Sequence, residues 1–587
     1  MSVFVDRRRP AITREFLLRI VLAWAAIAAL LVLTNLGAIL TQRFPDPDDT
    51  LRMVQVRDLI AGQGWFDPVQ HRAGETAMHW SRIIDIPIAA VILALRGLIG
   101  TPAAELAAQI VVPLVTMFAC LLLVGRIAWR VLGDEMAMFA CLALAFSVPV
   151  IEQLRPMRID HHGWQIALVL VALNGLIARS PRVGGWVIGG ALATALSISI
   201  EQLPIAAVFM ALLACRWIAD HNDRVWLVSA MQALAAVSLA LFLATRGWVT
   251  GVTCDQIAPV HLAVFGWGAL VFTGASALEP RPRVWAIAAM VAAAGGALAI
   301  VWQAAPQCTG GTFGMLEPIA RELWYSRVSE GMPIWKQDPP KVLQIILPPA
   351  IALVATAKLA GRSGGWLRRF WMEYAVLLGG AFALSIMVAR AGSVAGALAA
   401  IPLGWQLREW LRGLRHRQRP IKKAMAYGAI SVVLVPAAPA LLLVSSAPGQ
   451  ARIEASVRAS VHGTCDISSR PATLAALPDG TALVPLDTAS LVLLDTGHTV
   501  LATPHHRAPG MGAAISAFAT DLATARAIVR REAVNYVAIC PMLGEPHNYA
   551  HDAPRGLAAR LLEGRAPAWL EPVPSKGDGW AVWRVRH

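Results

Sequence analysis

Long apolar runs recur along the chain, and each has about the length that a helix needs to cross a bilayer. The first run covers residues 17–37. Twelve further runs follow, at residues 104–124, 136–152, 163–178, 184–201, 203–217, 225–243, 261–278, 284–303, 342–358, 372–389, 393–409 and 424–446. This pattern predicts a polytopic α-helical membrane protein with about thirteen transmembrane helices.

Two long polar stretches separate these runs, a first loop at residues 38–103 and a later loop at residues 304–341. Within the first loop, Ile83–Leu98 is apolar enough to span the membrane, and it decides the topology. If it spans, every later loop inverts and the basic stretch Arg408–Lys423 lies outside. If it lies along the interface, all the short basic loops fall inside, as the positive-inside rule requires. We therefore predict an interfacial segment, which also suits the interruption by Asp85 and Pro87.

The C-terminal part of the chain has a different pattern. Short β-like runs, Ala482–Leu486, Leu491–Leu494 and Val534–Ile539, alternate with a helical stretch, Ala514–Arg531. Such alternation predicts a small α/β domain. We divide the chain into a transmembrane domain, residues 1–446, and a soluble domain, residues 447–587. An odd number of spans places this domain outside, opposite a cytoplasmic N-terminus.

Composition supports the membrane assignment. Of the 587 residues, 57% are hydrophobic and only 15% are charged, whereas soluble proteins carry roughly a quarter charged residues. Most of the formal net charge of +14 lies in short loops between spans, so it does not indicate nucleic-acid binding. Arg7–Arg9 before a full-length apolar run predicts a signal anchor rather than a cleaved signal peptide. We predict a multi-pass protein of a bacterial inner membrane.

The cysteines agree with this topology. Three lie in or near spans, where cysteine usually acts as a small apolar side chain: Cys120, Cys141 and Cys215. The other four lie outside, an even number in an oxidising compartment. For these four we expect two disulfides, Cys254–Cys308 and Cys465–Cys540.

An acidic stretch after the first span is the strongest sign of chemistry. Asp46, Asp48 and Asp49 stand at a predicted membrane–water boundary, where unpaired carboxylates are costly unless they bind a cation or a substrate. The same residues would also cap a helix that begins near Leu51. Both interpretations fit this stretch alone, but other polar groups fall on the same side of the membrane.

Those other groups lie in four places. Asp160 and His162 form an Asp-x-His motif that can offer a carboxylate and an imidazole to one divalent cation, or can simply cap a helix. Glu330 lies in the later loop and can supply a third acidic ligand. Arg390 at a span end suits a phosphate clamp or a snorkelling anchor. Glu201 is an interfacial acid that we assign to the acceptor side.

Carboxylates, a histidine and an arginine at one membrane face suit transfer from a lipid-linked phosphosugar. A divalent metal, Mn²⁺ or Mg²⁺, would neutralise the phosphate leaving group, and a carboxylate would orient or deprotonate the acceptor. We assign Asp48, Asp160, His162 and Glu330 to the metal. Catalytic roles go to Asp48, Asp49 and Glu330, and the donor phosphate is assigned to three basic residues, Arg390, His79 and Arg82.

The order of these motifs resembles the catalytic subunits of oligosaccharyltransferases, membrane glycosyltransferases of the GT-C class, over roughly residues 15–500. The resemblance implies thirteen spans, a catalytic aspartate in the first outer loop and an Asp-x-His-like motif after the third span. It also implies a Ser/Thr-x-x-Glu-like motif in the later loop and an arginine that meets the lipid pyrophosphate.

Carried over to this sequence, the resemblance assigns the second motif to Asp160 and His162, the loop motif to Arg327–Glu330, and the phosphate contact to Arg390. For the first-loop aspartate, alignment on Arg57–Gly62 favours Asp48 and alignment on Arg52 favours Asp46. We choose Asp48, with Asp49 next.

The acceptor motif departs from the family. Where the family has Trp-Trp-Asp-Tyr-Gly, this chain has Pro485–Ala489, which keeps only the acid, Asp487. We place Asp487 on the acceptor side without assigning an Asn-x-Ser/Thr acceptor. A further motif, His505–Arg507, can form a metal or phosphate site, although a surface loop is the favoured interpretation.

The leading hypothesis is a metal-dependent glycosyltransferase that takes a sugar from a polyprenyl phosphate or pyrophosphate on the periplasmic side. The acceptor, whether protein, lipid or polysaccharide, does not follow from the sequence. A transporter or flippase of lipid-linked sugars is the alternative, but it should show polar residues at the membrane midplane and related halves. A non-catalytic scaffold would leave the acidic residues scattered.

Overall fold

A computed structural model of the chain describes residues 12–248, 251, 253–278, 282–311, 313–314, 316–415, 420–434, 465 and 469–586. Through residue 434 these residues are mainly helical, as the apolar runs predict. The helices are α1 (Arg14–Thr34), α2 (Leu36–Leu40), α3 (Pro47–Ile60), α4 (Asp85–Ile99), α5 (Thr101–Leu132), α6 (Asp134–Ala145), α7 (Val148–Ile151), α8 (His162–Gly175), α9 (Pro181–Ile198), α10 (Leu203–Ala219), α11 (Arg224–Arg246), α12 (Pro259–Ala277), α13 (Arg283–Ala304), α14 (Pro318–Leu323), α15 (Pro339–Arg362), α16 (Gly365–Met387), α17 (Gly392–Arg415) and α18 (Pro420–Leu434).

Eight helical segments within the described residues are long and apolar enough to cross a membrane, by length and composition. They are Arg14–Thr34, Thr101–Leu132, Ile200–Ala219, His221–Arg246, Pro259–Ala277, Arg283–Ala304, Pro339–Arg362 and Gly365–Met387. The other predicted runs overlap α6 to α9, α17 and α18. Ser147 divides the run at 136–152 between α6 and α7, and the run at 424–446 extends beyond the described residues. The structure thus has a multi-pass helical architecture, while the count of thirteen stays a prediction.

Small residues allow α9 and α11 to pack closely. Gly185 and Gly189 of α9 face the backbone of α11, where a Cβ atom at Gly189 would overlap the carbonyl oxygen of Ala230. Gly190 has more room, because the nearest neighbour of a Cβ atom there would be Cγ2 of Val237 in α11, at 3.9 Å. Close backbone approach of this kind is how helices associate where lipid is as apolar as the side chains.

The first loop is an ordered structure rather than an open connection. It contains α3, a short antiparallel hairpin of β1 (Val69–Gln70) and β2 (Thr76–Ala77), and α4. Arg52 of α3 donates to Asp85 of α4 over 2.9 Å, and both side chains are buried. The Arg52 guanidinium also lies 4.5 Å from the ring centroid of Trp80. The predicted interfacial segment Ile83–Leu98 is therefore the helix α4, tied to α3 by a buried ion pair.

The C-terminal part builds a five-stranded mixed sheet with helices, as predicted. Its strands are β3 (Thr481–Leu483), β4 (Thr499–Val500), β5 (Tyr536–Ile539), β6 (Leu570–Pro572) and β7 (Ala581–Val585), in the spatial order β4-β3-β5-β7-β6. Its helices are α19 (Ala472–Ala475), α20 (Leu486–Asp495), α21 (Met511–Ala519), α22 (Leu522–Arg531), α23 (Gly544–Asp552) and α24 (Leu557–Leu562). The three strands β4, β3 and β5 are parallel, and β7 and β6 add antiparallel pairs.

Two local predictions in this part were wrong. Leu491–Leu494 is not a strand but belongs to α20, whose buried residues Leu486, Ala489 and Val492 recur with helical spacing. The predicted single helix Ala514–Arg531 is two helices, because Asp521 begins a new one. Its carboxylate accepts from the backbone N–H groups of the second and third residues of α22, as an N-cap does.

Contacts between distant parts join this sheet domain to the helical part. Arg57 of α3 pairs with Glu105 of α5 and donates to the carbonyl of Leu494 over 2.6 Å. Arg72 of the hairpin donates to the carbonyl of Thr496 over 2.9 Å. The domain boundary at 446/447 lies outside the described residues, so the predicted division of the chain remains a prediction.

Both expected disulfides are present, Cys254–Cys308 and Cys465–Cys540. The other three cysteines, Cys120, Cys141 and Cys215, are free. The first bond ties the segment after α11 to the start of the later loop, and the second lies within the C-terminal part. Both predicted pairs are therefore confirmed, while the side of the membrane on which they lie stays a prediction.

The close approach of α9 to α11 yields a test of the packing. We expect Gly189→Leu to lower the free energy of unfolding by about 1–3 kcal/mol, because the added side chain must displace the α11 backbone. Thermal unfolding of the purified protein in detergent measures the change. Gly190→Leu is the matched control, since it adds the same side chain one residue along on a face with room. Equal effects of the two substitutions would contradict the packing.

Candidate functional site

One guanidinium joins three carboxylates from two distant parts of the sequence. Arg158, in the turn before α8, approaches Asp46 at 3.4 Å, Asp49 at 3.0 Å and Asp160 at 3.0 Å. Its Nε donates to Gln153 over 3.1 Å, and the residue is buried. The first-loop acids and the Asp-x-His motif therefore share one polar cluster, which we call the acidic cluster and which also includes Asp48 and Glu330.

The three first-loop aspartates have different environments. Asp46 is the N-cap of α3, and its side chain accepts from the backbone N–H of Asp48 over 2.9 Å. Asp49 is fully buried, and its Oδ1 accepts from the N–H groups of Ile159 and Asp160. Among the described residues, the Asp48 side chain makes no hydrogen bond or ion pair. The capping interpretation is thus confirmed for Asp46, which also pairs with Arg158, while binding of a cation or a substrate by this stretch stays a prediction.

The Asp-x-His motif is held in one orientation by its own hydrogen bonds. Asp160 accepts from the backbone N–H of His162 over 3.0 Å, and His162 Nδ1 lies 2.6 Å from its other oxygen. This arrangement directs His162 Nε2 away from Asp160, and that nitrogen is buried without a hydrogen-bond partner among the described residues. Ligand atoms of Asp160, His161 and His162 lie within 4.8 Å of one another. The motif therefore fits a divalent cation.

Glu330, Arg390 and Glu201 meet although they come from three separate turns. Arg390 Nη1 lies 2.8 Å from Glu201 and 3.6 Å from Glu330. The backbone N–H of Ala389 donates to the carbonyl of Met332 over 3.0 Å, which holds the two turns together. Arg390 Nε is buried and has no partner among the described residues. Glu201, predicted on the acceptor side, therefore lies beside Arg390, the residue predicted to bind the donor phosphate.

A cavity of about 410 Å³ opens onto part of the acidic cluster. Its wall includes Asp46, Asp48 and Glu330 from the acidic cluster, Trp324 of the later loop, and Asp487 and Glu545 from the C-terminal part. Glu545 accepts from the N–H groups of Leu486 and Asp487, both over 2.8 Å, so it caps α20. The predicted acceptor-side residue Asp487 thus faces the same space as Asp48.

Burial and neighbouring charges give the acids of the cluster different pKa values. Burial raises the pKa of Asp48 well above its ordinary value, and the charges of Asp46, Glu330 and Asp160 add to the shift. Burial also raises the pKa of Asp49 to about 7, with Arg158 opposing it. Although burial acts in the other direction, Arg158 and His162 hold the pKa of Asp160 well below its ordinary value. The cluster therefore contains both an ionised acid and acids that retain protons.

The two other predicted phosphate residues lie in separate surroundings. Arg82 is buried, and its guanidinium donates to Asp85 and to the carbonyl of Asp67. His79 Nδ1 lies 2.8 Å from Nε2 of His505, and its ring also packs against His506. The favoured surface-loop interpretation of His505–Arg507 was wrong, because His505 is buried and Asp255 pairs with His506 and Arg507, which are both largely covered.

The sequence interpretation missed several residues of this region. Arg158 and His161 stand beside the assigned Asp160, so their adjacency was a usable signal. Glu545 carried no such signal, because only the fold brings α23 to α20. The same holds for Asp255, whose partners lie about 250 positions later.

Searches by sequence return no matching family model and no matching curated protein. Solved structures do match. The Archaeoglobus fulgidus oligosaccharyltransferase AglB, in complex with an inhibitory peptide and a dolichol-phosphate, aligns with a TM-score of 0.61 at 13% identity. That alignment covers 94% of this chain and 72% of the archaeal one.

Other structures of the Archaeoglobus fulgidus oligosaccharyltransferase agree. The form tethered to an acceptor peptide with an NVT sequon gives a TM-score of 0.62 at 15% identity, covering 98% of this chain and 74% of that one. The complex with Zn and sulfate aligns with a TM-score of 0.59 at 15% identity, covering 96% of this chain and 73% of that one. The chain shares the fold of this oligosaccharyltransferase, so the predicted GT-C resemblance is confirmed at the level of the fold.

The raised pKa of Asp49 predicts a pH dependence of stability. A carboxyl with a native pKa of about 7 keeps a proton that the unfolded chain releases above about pH 4. Its contribution to the free energy of unfolding therefore falls as the pH rises from 4 to 7, by on the order of a few kcal/mol. We expect Asp49→Asn to flatten this fall in thermal unfolding measured from pH 5 to 8 without divalent cations.

Glu152→Gln is the matched control for this experiment, because it removes an exposed carboxylate just after α7. Its pH profile should follow that of the unaltered protein. An unchanged slope in Asp49→Asn would show that Asp49 ionises normally in the native state.

Proposed function

We propose that the protein is a metal-dependent glycosyltransferase that transfers a sugar or oligosaccharide from a polyprenyl phosphate or pyrophosphate at the periplasmic face of a bacterial inner membrane. The observation that carries the proposal is that Asp48 and Glu330 line one cavity, share the acidic cluster with Asp160 and His162, and bring Arg390 beside Glu330. His162 Nε2 and Arg390 Nε are buried and have no hydrogen-bond partner among the described residues. The shared fold with an oligosaccharyltransferase that was solved with dolichol-phosphate supports it.

The metal would be held by Asp160, His162, Glu330 and Asp48. A buried imidazole nitrogen without a partner, as at His162 Nε2, is costly unless something binds there. Oxygen and imidazole ligands together suit Mn²⁺ or Mg²⁺. When bound, the ion would neutralise charge on the leaving phosphate as a Lewis acid. Asp160 would act as a ligand and also fix the His162 ring.

Arg390 would bind the donor phosphate. Its Nη1 already has two carboxylate partners, whereas its buried Nε remains open. Glu201 and Glu330 hold the guanidinium in place, so Glu201 acts as a positioning residue rather than on the acceptor side. His79 and Arg82 have other partners in the structure, and their phosphate role stays a prediction.

Asp48 is the better candidate for the residue that orients the acceptor. It lines the cavity, its side chain is open, and its pKa is raised well above the ordinary value by burial and by neighbouring acids, which suits proton transfer. Asp49 has both oxygens occupied by Arg158, Ile159 and Asp160. We therefore assign Asp49 to positioning the 158–160 turn, and not to the acceptor.

The reaction forms a bond between the acceptor nucleophile and the anomeric carbon and breaks the bond from that carbon to the phosphate oxygen. With the metal bound, Asp48 would be ionised and would receive the proton of the nucleophile, while Arg390 would hold the departing phosphate. The cavity wall formed by Asp487, Glu545 and Trp324 would admit the acceptor. The acceptor is a protein, lipid or polysaccharide group that carries a suitable nucleophile.

Metal-dependent transfer can be tested on protein reconstituted in liposomes. The probes are a synthetic polyprenyl-pyrophosphate disaccharide and a polyprenyl-phosphate monosaccharide, with Mn²⁺ or with chelator. We expect Mn²⁺-dependent loss of the sugar from the lipid fraction. Glu330→Gln and Asp160→Asn should slow it by about 100-fold or more, because a ligand or a catalytic acid is lost.

Asp552→Asn serves as the control, since Asp552 pairs with Arg327 in the same region but is not part of the acidic cluster. Calorimetry with Mn²⁺ on the same variants separates loss of binding from loss of folding. Flipping of the labelled lipid across the bilayer without cleavage would favour a transporter and reject the proposal. Sugar transfer at the full rate in the presence of chelator would show that the reaction does not need a metal.

The assignment of Arg390 makes a separate prediction. Arg390→Gln should raise the KM for the lipid donor about 10-fold or more, because a charge-assisted contact with phosphate is lost. Mn²⁺ affinity should change less, since Arg390 is not a metal ligand. Steady-state kinetics in liposomes and calorimetry measure the two effects. An unchanged KM for the donor would remove Arg390 from the phosphate site.

A further inference from the structure

Three histidines from distant parts of the chain meet beside the acidic cluster, and the proposed reaction does not use them as a group. His79 comes from the first loop, and His505 and His506 come from the C-terminal part after β4. Ring nitrogens of the three lie within 4.8 Å of one another. We call this group the histidine cluster.

The contacts within the histidine cluster are those of ligands facing a common point. Nδ1 of His79 lies 2.8 Å from Nε2 of His505. The ring centroids of His79 and His506 lie 4.8 Å apart, as do those of His505 and His506. Zinc–imidazole bonds measure about 2.0–2.1 Å, so nitrogens on one ion are at most about 4.2 Å apart. Small side-chain rotations therefore suffice to place all three on one ion.

A carboxylate stands behind one of the rings. His506 Nε2 lies 2.5 Å from Asp255 Oδ2, which leaves Nδ1 of that ring as the atom for a ligand. A carboxylate on the second nitrogen of a ligating histidine fixes its tautomer and raises its basicity, as is common at zinc sites. Asp255 is itself fixed by neighbours, through the guanidinium of Arg507 and through the adjacent Cys254–Cys308 disulfide.

Nearby cations are already engaged. Arg507 spans both oxygens of Asp255, so its charge is compensated locally. Arg246 donates to the backbone carbonyl of His79. The rings of Trp80 and Phe313 pack against His505 and His506, respectively, and shield the cluster from water. Three imidazoles in a shielded setting favour a transition metal over Mg²⁺ or Ca²⁺.

We propose that His79, His505 and His506 bind a zinc-class divalent transition-metal ion, with Asp255 orienting His506 and a water completing a tetrahedral site. The ion would join the first loop, the disulfide-anchored segment around Asp255 and the C-terminal part. It would thereby fix the wall of the cavity that Asp487 and Glu545 contribute. The site differs from the acidic cluster in its ligands, and it does not depend on the proposed glycosyl transfer.

The test uses the purified full-length protein in detergent. Zinc content is measured after incubation with Zn²⁺ and desalting, and visible absorption is recorded after substitution with Co²⁺. These measurements use an Asp160→Asn background, so that the acidic cluster adds no zinc, and the variants below are made in it. There we expect one zinc ion that is lost on adding His505→Ala, together with the Co²⁺ absorption of a tetrahedral site. His551→Ala, which removes an exposed histidine (89% side-chain exposure), should retain both signals.

Two further variants keep the proposal testable if His505→Ala fails to fold. His505→Cys preserves a zinc ligand, so it should retain the ion and add a cobalt–thiolate absorption band. Asp255→Asn keeps all three ligands and should weaken zinc binding about 10–100-fold. Retention of zinc in His505→Ala, or unaltered Co²⁺ spectra in His505→Cys, would overturn the assignment.

A comparison with the acidic cluster separates this site from the proposed active site. Asp160→Asn should lose Mn²⁺ and keep zinc, whereas His505→Ala should lose zinc and keep Mn²⁺. If inorganic phosphate rather than zinc binds at the cluster and protects the protein against thermal unfolding, the cluster is an anion site and the zinc proposal fails.

Discussion

The compensation of buried carboxylates by Arg158 is the constraint on which the site depends. Asp160 is brought to Asp46 and Asp49 from more than a hundred residues along the chain, and each carboxylate would repel the others without a cation between them. Burying charges is unfavourable unless they are paired and hydrogen-bonded. The guanidinium provides that pairing with two of its nitrogens, and the backbone N–H groups of Ile159 and Asp160 complete it on Asp49.

This pairing has a consequence for the neighbouring acids. Arg158 and the two N–H groups satisfy Asp49, whereas Asp48 turns to the cavity without such partners. Asp48 and Asp49 are thus adjacent, yet within the described residues Asp49 has both carboxylate oxygens hydrogen-bonded and the Asp48 side chain has no such partner. A cation or a nucleophile entering the cavity therefore meets Asp48 and Glu330 first, while Asp49 keeps the turn at 158–160 in place. In the proposed function, the positioning residue Asp49 and the reactive residue Asp48 are therefore neighbours on α3.

The sequence could predict most secondary-structure elements but not all the tertiary contacts between them. Apolar length identified the helices, and predicted sidedness paired four cysteines correctly. The proximity of Glu330 to Arg390 followed from motif order alone. The choice among Asp46, Asp48 and Asp49 did not follow from the sequence. It depends on how α3 is rotated about its axis relative to the turn at 158–160, about a hundred residues later. Leu491–Leu494 was assigned to a strand because a short apolar run has no period that separates strand from helix.

The C-terminal part explains why the acceptor was the least predictable feature. Its side of the cavity has Asp487 and Glu545, whose pKa values burial raises to about 6 and about 8, instead of the two tryptophans and the tyrosine that the resemblance would place there. Glu545 is fixed by capping α20, and Asp487 begins that same helix. Capping contacts thus hold the carboxyls of this wall in place. Under the proposed function, an acceptor that enters between this wall and Asp48 would meet carboxyls on both sides, which would favour neutral or cationic acceptor groups over anionic ones.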